Sequence, residues 1–341
     1  MSLKSFKEEY TERVHSLLWV QWTRLGIAGQ EVPENGCILD PEALLLFTFE
    51  VGRSEPRLYD EVLEWLSRNE RLVNIQRLRN LVSQDPAFDH TLAAAPAHWL
   101  CTLNKTSKWR DLAKAATARP AAPFFTADLK RARSLSGAED PLYQTFGWSR
   151  PPIKLRGLSS HVPVDSVPAL ILRLRSLFGL NARAEVVAYL LARQSGHPTE
   201  MAKELAYSQP SLFQICKEMA GSALLFAQSH GREKRYRLDR ERWMAFLGLS
   251  ERNRASWGHW PATFRLLISL WRHLQDDTLA GLSDYMSASH TRLLYESLDR
   301  LFADAELGLF LERHGTLKGA HWLDAFHEEL LRVFSRDPRF A

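Results

Sequence analysis

The sequence predicts a mainly α-helical protein with one small β-hairpin near its middle, and three observations carry that class. Apolar residues recur at helical spacing through the first hundred residues and again from about 250 to 341. Between 168 and 221 the chain divides into short amphipathic stretches bounded by capping residues. Strand character followed by a turn shows at one place, "ALLFAQSHGREKRYRL" from Ala223.

In "FKEEYTERVHSLLWVQWTRL" the residues Phe6, Tyr10, Val14, Leu17, Leu18 and Leu25 form the apolar stripe of a first helix. "DPEALLLFTFEV" offers Asp40 as N-cap with Pro41 at the first helical position. "EPRLYDEVLEWLSRNERLVNIQRLRNLV" reads as one long or two shorter amphipathic helices. These define a helical domain over 1–115, with room for a degenerate helix-turn-helix. From 116 to 165 the chain is rich in Pro, Ala, Ser and Gly and has no sustained period, so long regular elements are not expected. Phe124, Phe125 and Trp148 mark it as a packed linker with a short helix near "TADLKRARSL".

A third region, 166–247, opens with a helix in "PALILRLRSLFGL" and a second after Asn181, with Val186, Val187, Leu190 and Leu191 as its stripe. Thr199 can cap the next helix, where Ala202 and Leu205 face inward, and "YSQP" breaks it. Ser208 or Gln209 starts another with Pro210 in its first turn; Leu212, Ile215, Cys216 and Met219 share its inner face and Gly221 supplies its exit. Two short helices joined by a three-to-four residue turn are a helix-turn-helix arrangement. The hairpin that follows turns within "SHGREK" and returns with Tyr236 and Leu238 on one face. From 248 to 341 three more amphipathic helices are expected, in "PATFRLLISLWRHLQD", "SHTRLLYESLDRLFADAEL" and "HWLDAFHEELLRVFSR".

Composition bounds the function. With 341 residues, 45% hydrophobic and 25% charged, the chain is an ordinary folded one with room for two or three domains. No apolar run approaches the roughly 18 residues of a membrane span, and "MSLKSFKEEYTERVHSL" lacks a signal peptide's apolar core, so a cytoplasmic protein without a membrane partner is expected. Cys37, Cys101 and Cys216 are odd in number, far apart and without a CxxC pair, which argues against a disulfide framework or structural zinc; each is expected to be buried or half-buried. There is no HExxH, GxSxG, GxGxxG or Walker loop, and Asp276 and Asp277 are adjacent, so they diverge on a helix and belong at a helix end. No enzyme activity and no cofactor is expected. The eleven tryptophans, Trp257 and Trp260 among them, read as core or interface anchors before they read as ligand binders.

Charge is distributed unevenly. The net +4 resolves into fourteen Lys or Arg against seven Asp or Glu over 141–240, a local +7, with −3 on the rest. A local positive field suggests a surface for an anionic partner, nucleic acid being the commonest. His230, Arg232, Lys234, Arg235 and Arg237 fall within eight positions at the hairpin, where they can lie beside phosphates.

In order and spacing, "ARAEVVAYLL", "HPTEMAKELAYSQPSLFQICKEMAGSALL" and "GREKRYRLD" resemble bacterial winged helix-turn-helix regulators of the MarR or ArsR type, over residues 170–240, roughly a fifth of the chain. The resemblance implies sequence-specific binding of double-stranded DNA, with the helix over 211–220 in the major groove and the hairpin from His230 to Arg237 against backbone or minor groove. On that reading Gln214 reads adenine, Ser211 or Lys217 reaches a base or a phosphate, and Lys203 on the first helix touches the backbone. Arg232, Lys234, Arg235 and Arg237 neutralise phosphates, though strand alternation keeps all four from facing the duplex together. Arg173, Arg175 and Arg183 either steady the backbone approach or pair with acidic flanks. The expected protein is a dimeric transcriptional regulator on pseudo-palindromic half-sites. The alternatives are a winged protein-interaction module, such as an antitoxin-like partner-binding protein, and a nucleic-acid-processing enzyme with the winged unit as targeting arm.

Overall fold

The computed structural model describes residues 2–29, 36–84, 87–114, 120–126, 139–163, 165–230, 233–250, 254–307 and 315–340, with the backbone alone at His230 and Ala280. The protein is mainly α-helical, with sixteen helices and three two-stranded pairings among the described residues. The expected short helix near "TADLKRARSL" lies almost wholly outside the described residues.

The first core draws on both ends of the sequence. Helix α1 (Leu3–Arg24) buries Phe6, Tyr10, Val14, Leu17 and Leu18, the stripe read from the sequence. Helix α2 (Pro41–Val51) begins as expected, with Asp40 accepting from the Ala43 amide and Pro41 in its first turn. The ambiguous stretch that follows is two helices, α3 (Pro56–Asn69) and α4 (Ile75–Gln84), and α5 (His90–Leu103) and the short α6 (Arg110–Ala113) complete the layer. The connection packs on this layer through Phe124, Phe125, Tyr143 and Trp148, all buried. Helix α7 (Pro141–Gln144) and the parallel pair β2 (Ala122–Pro123) with β3 (Trp148–Ser149) are its regular parts. Inside it the buried Arg150 lies 4.8 Å from the Phe125 ring and 4.9 Å from the Tyr143 ring and bonds Asp60 at 2.5 Å.

The C-terminal helices join the same core. They are α13 (Trp260–Gln275), α14 (Asp284–Ser297), α15 (Asp299–Asp304) and α16 (Gly319–Arg336). Phe264 stacks on Phe47 at 4.6 Å, the Tyr10 hydroxyl donates to the Leu267 carbonyl at 3.0 Å, and Gln21 donates to the Arg339 carbonyl at 2.8 Å. Asp276 ends α13 and caps the turn after it, the helix-end position expected of the Asp pair. No helix among the described residues is long and apolar enough to cross a membrane.

A second core belongs to the central unit, helices α8 (Leu170–Phe178), α9 (Ala182–Arg193), α10 (Pro198–Leu205), α11 (Gln209–Gly221) and α12 (Arg240–Phe246) with strands β4 (Phe226–His230) and β5 (Glu233–Arg237). The two cores meet at a seam where β1 (Cys37–Ile38) runs parallel to β6 (Ser256–Trp257). Alternation along β1 and the residue after it sends Cys37 and Leu39 into the first core and Ile38 into the second. Trp260 donates to the Ile38 carbonyl at 2.7 Å, and the Leu39 amide to the Pro168 carbonyl at 3.0 Å, which sews the seam on both sides.

Two cap assignments need correction. The N-cap of α10 lies two residues before Thr199: it is His197, Pro198 takes the first turn, and the Glu200 carboxylate accepts from the His197 amide at 3.1 Å. Gly221 is the last helical residue of α11 and has no left-handed φ; Ala223 supplies the reversal with φ of 59°.

His327 yields a pH prediction. It is 1% exposed and stacked on Phe6 at 3.6 Å, and neither ring nitrogen has a hydrogen-bond partner among the described residues. Burial lowers its pKa from 6.5 to about 3. An unfolded chain then binds a proton that the folded one refuses between those values, so the folded state loses stability as pH falls below 6.5, by up to about 1.4 kcal/mol per pH unit. His327→Phe should reduce the loss of melting temperature between pH 7 and pH 5. An identical loss in both proteins would show that His327 is solvated.

Candidate nucleic-acid interface

The geometry of the central unit follows from its caps and its apolar faces. Asn181 accepts from the Arg183 amide at 2.9 Å to open α9, and Ser208 accepts from the Ser211 amide to open α11. Between α10 and α11 the chain reverses within Ala206–Ser208, with Ala206 in the left-handed conformation at φ 56° and ψ 41°. For a residue with a Cβ this costs about 1–2 kcal/mol, so the turn requires support from outside. Support comes from α4 and from Asn74 just before it. Arg77 donates to the Leu205 carbonyl at 2.8 Å, Asn80 to the Ala206 carbonyl at 3.2 Å, and Asn74 to the Tyr207 hydroxyl at 2.9 Å.

Arg77 is itself held in a cluster of buried charges. Its guanidinium bonds Asp40 and reaches Glu42 at 2.9 Å; Arg175 reaches Glu42 at 2.7 Å and Glu185 at 2.6 Å. All five side chains are at most 2% exposed, and the cluster joins α2 and α4 of the first core to α8 and α9 of the second. Burial pushes the Asp40 carboxyl up, but the charge and hydrogen bonds of Arg77 outweigh it and the pKa falls below the usual carboxylate range. Of the two readings left open for Arg175, the ion pair with acidic neighbours is the one the structure contains. Arg183 likewise pairs with Glu218 at 2.6 Å, and Arg173 donates to the Leu247 carbonyl at 2.8 Å.

On α11 the inner face is Leu212, Cys216 and Met219, buried, with Ile215 at its margin. Burial raises the Cys216 thiol pKa to about 12, so it is an inert core group. Cys37 and Cys216 are buried and Cys101 is half-buried, as expected. Ser211, Phe213, Gln214, Lys217 and Glu218 face outward. Gln214 donates to Glu218 at 3.0 Å, so in the free protein its amide belongs to a chain running through Glu218 to Arg183. Lys203 on α10 and Lys217 are exposed and form no ion pair among the described residues.

The hairpin is fixed to the unit by one strand. Tyr236 is buried and exchanges two 2.9 Å backbone bonds with Gly196. A Cβ at Gly196 would stand 2.8 Å from the Tyr189 ring, so only glycine permits this approach. The other described side chains of both strands are exposed apart from the half-buried Arg235. Phe226 faces Arg237 and Gln228 faces Arg235 across the ladder, so Arg235 and Arg237 point to the face opposite Tyr236 and Lys234. Arg235 is engaged bidentately by Glu200 at 2.7 Å, and Arg237 lies 4.9 Å from the centre of the Phe226 ring. The hydrogen bond from Arg235 lowers the Glu200 pKa. Lys234 is exposed and forms no ion pair among the described residues. Arg232 and the His230 side chain lie outside the described residues.

Sequence reasoning missed three features. The support of the turn by α4 has no local signature, because Arg77 and Asn80 are ordinary polar positions of an amphipathic helix. The Glu200 partner of Arg235 has a signal in the N3 position of the α10 capping box, which an N-cap placed at Thr199 hides. The third is an apolar cleft of about 440 Å³ at the base of the hairpin, lined by Leu177, Phe178, Leu224, Phe226, Trp243 and Phe246. Among the described residues no three His, Cys, Asp or Glu side chains converge to hold a metal ion.

Compared with family models, with curated proteins and with solved structures, the chain finds no match.

Proposed function

We propose that residues 170–240 form a winged helix-turn-helix and that the protein is a cytoplasmic DNA-binding transcriptional regulator, acting as a dimer on paired half-sites. Helix α11 enters the major groove with Ser211, Gln214 and Lys217 toward the bases, Lys203 meets the backbone from α10, and the hairpin lies along backbone or minor groove. The observation that carries this reading is the union of an outward polar face on α11 with an exposed, cation-bearing hairpin next in the chain, on a turn clamped by α4. Arg235 and Arg237 contribute only if their partners Glu200 and Phe226 release them on binding. Gln214 must likewise exchange Glu218 for a base edge.

Gln214→Ala therefore has a defined expectation on a selected duplex. It should cost about 1–3 kcal/mol of discrimination at one base position and leave affinity for random duplex nearly unchanged. Quantitative binding to single-position variants of the site measures this, and an equal loss on every sequence would assign Gln214 to the backbone.

A second reading is favoured by specific residues. Phe213 is 44% exposed in the middle of α11, and Leu177, Leu224 and Phe246 are 54%, 41% and 64% exposed around the cleft at the hairpin base. Aromatic and aliphatic side chains of this kind anchor protein partners, as the antitoxin-like alternative requires. Phe213→Ser separates the two: on the DNA reading duplex affinity changes little, and on the partner reading its loss leaves the protein without its anchor.

A further inference from the structure

From the cavity between β6 and the C-terminal helices we infer a binding site for a small apolar acid, a carboxylate carried on an aliphatic or aryl body. The cavity holds about 480 Å³, within the range of about 300–1,000 Å³ found for small-molecule sites. Its walls are apolar, formed by Trp257, Phe302, Leu307, Phe326, Leu330 and Val333. Six charged side chains line it as well, and five of them are already matched. Arg332 pairs with Glu329 at 3.4 Å, Arg339 pairs with Asp337 at 2.6 Å, and Glu306 pairs with Arg193. The sixth, Arg336, is exposed and has no ionic partner among the described residues. An occupant that covers the apolar walls and presents one negative group to Arg336 satisfies both features. A neutral molecule satisfies only the first, and a cation meets an unmatched guanidinium.

Two residues of the cavity wall touch α9 of the central unit. Trp257 lines it and meets the Tyr189 ring of α9 edge-on at 5.4 Å, and Glu306 on its wall is the partner of Arg193 at the end of α9. An occupant therefore touches groups that bear directly on the helix on which α10 and α11 pack, and it alters the surroundings of the Trp257 indole.

Calorimetric titration of the full chain with sodium octanoate and with 3-phenylpropionate, each beside its neutral alcohol, tests the inference. Both acids should bind at one site, at least tenfold more tightly than the alcohols, and quench a component of tryptophan fluorescence that Trp257→Phe removes. Arg336→Gln, an exposed change, should weaken the acids by roughly tenfold and leave the alcohols unaltered. Val333→Trp, which fills the cavity, should abolish binding of both. The inference is overturned by equal affinity for acids and alcohols, by acid binding that survives Val333→Trp in a folded protein, or by absence of acid binding to the unmodified chain.

Discussion

Arg175→Met is expected to lower the unfolding free energy by about 3–5 kcal/mol, because it leaves Glu42 and Glu185 buried with one cation fewer between them. Removing Glu185 as well, in Arg175→Met with Glu185→Leu, should recover part of that loss, since Glu42 keeps Arg77 at 2.9 Å. Denaturant unfolding of the two single variants and the double variant measures the coupling. A loss below about 1 kcal/mol in Arg175→Met would mean that water reaches the cluster and that these charges behave as surface pairs. The pH dependence has a definite sign. The Asp40 pKa is lower in the folded chain than its ordinary value of 3.8, so its contribution is complete above that value and is lost as pH falls through the folded pKa. Arg77→Met, which removes the partner, should abolish that part of the acid transition. It should also loosen the turn at Leu205–Tyr207, and therefore impair any activity of α11 beyond the effect on global stability.

The replacement of Lys203, Lys217 and Lys234 together by Gln carries the largest expected effect on binding. All three are exposed and form no ion pair among the described residues, so the melting temperature should stay within a degree or two. If each neutralises one phosphate, the slope of log affinity against log salt falls by about 2.7, at about 0.9 per contact, and affinity at 0.1 M salt drops on the order of a hundredfold. An unchanged slope would remove α10, α11 and the hairpin from the DNA surface together.

Much of the local structure was legible in the sequence because its causes are local. Asp40, Asn181 and Ser208 cap their helices through side chains bonded to amides two or three residues on, and helical spacing located the buried stripes of α1 and α11. What escaped the sequence is long-range. An amphipathic stripe states that a face is buried but not against what, so the stripes of α13 and α16 gave no sign that they close on α1 and α2. Arg175 showed the same limit. Its partners lie at Glu42, 133 positions away, and at Glu185, and only the fold brings them together. Of the candidate interface, the outward face of α11 could be read from periodicity, whereas the engagement of Arg235 by Glu200 and of Arg237 by Phe226 depends on how the hairpin leans on α10 and on its own strand.

Among the described residues the hairpin cations thus divide into one without an ion pair, Lys234, and two that are occupied in the free protein, Arg235 and Arg237. On the proposed DNA-binding reading, this division predicts a local exchange of partners, with Glu200 released as Arg235 turns to a phosphate. Glu200→Gln should then strengthen duplex binding slightly, where a purely structural pair would weaken it.

The most direct test of the DNA-binding account is selection from a pool of random duplex DNA by the full chain at two salt concentrations. The account predicts enrichment of a short motif repeated about one helical turn apart, with retention falling steeply at the higher salt. A folded protein that retains no duplex at the lower salt would contradict it.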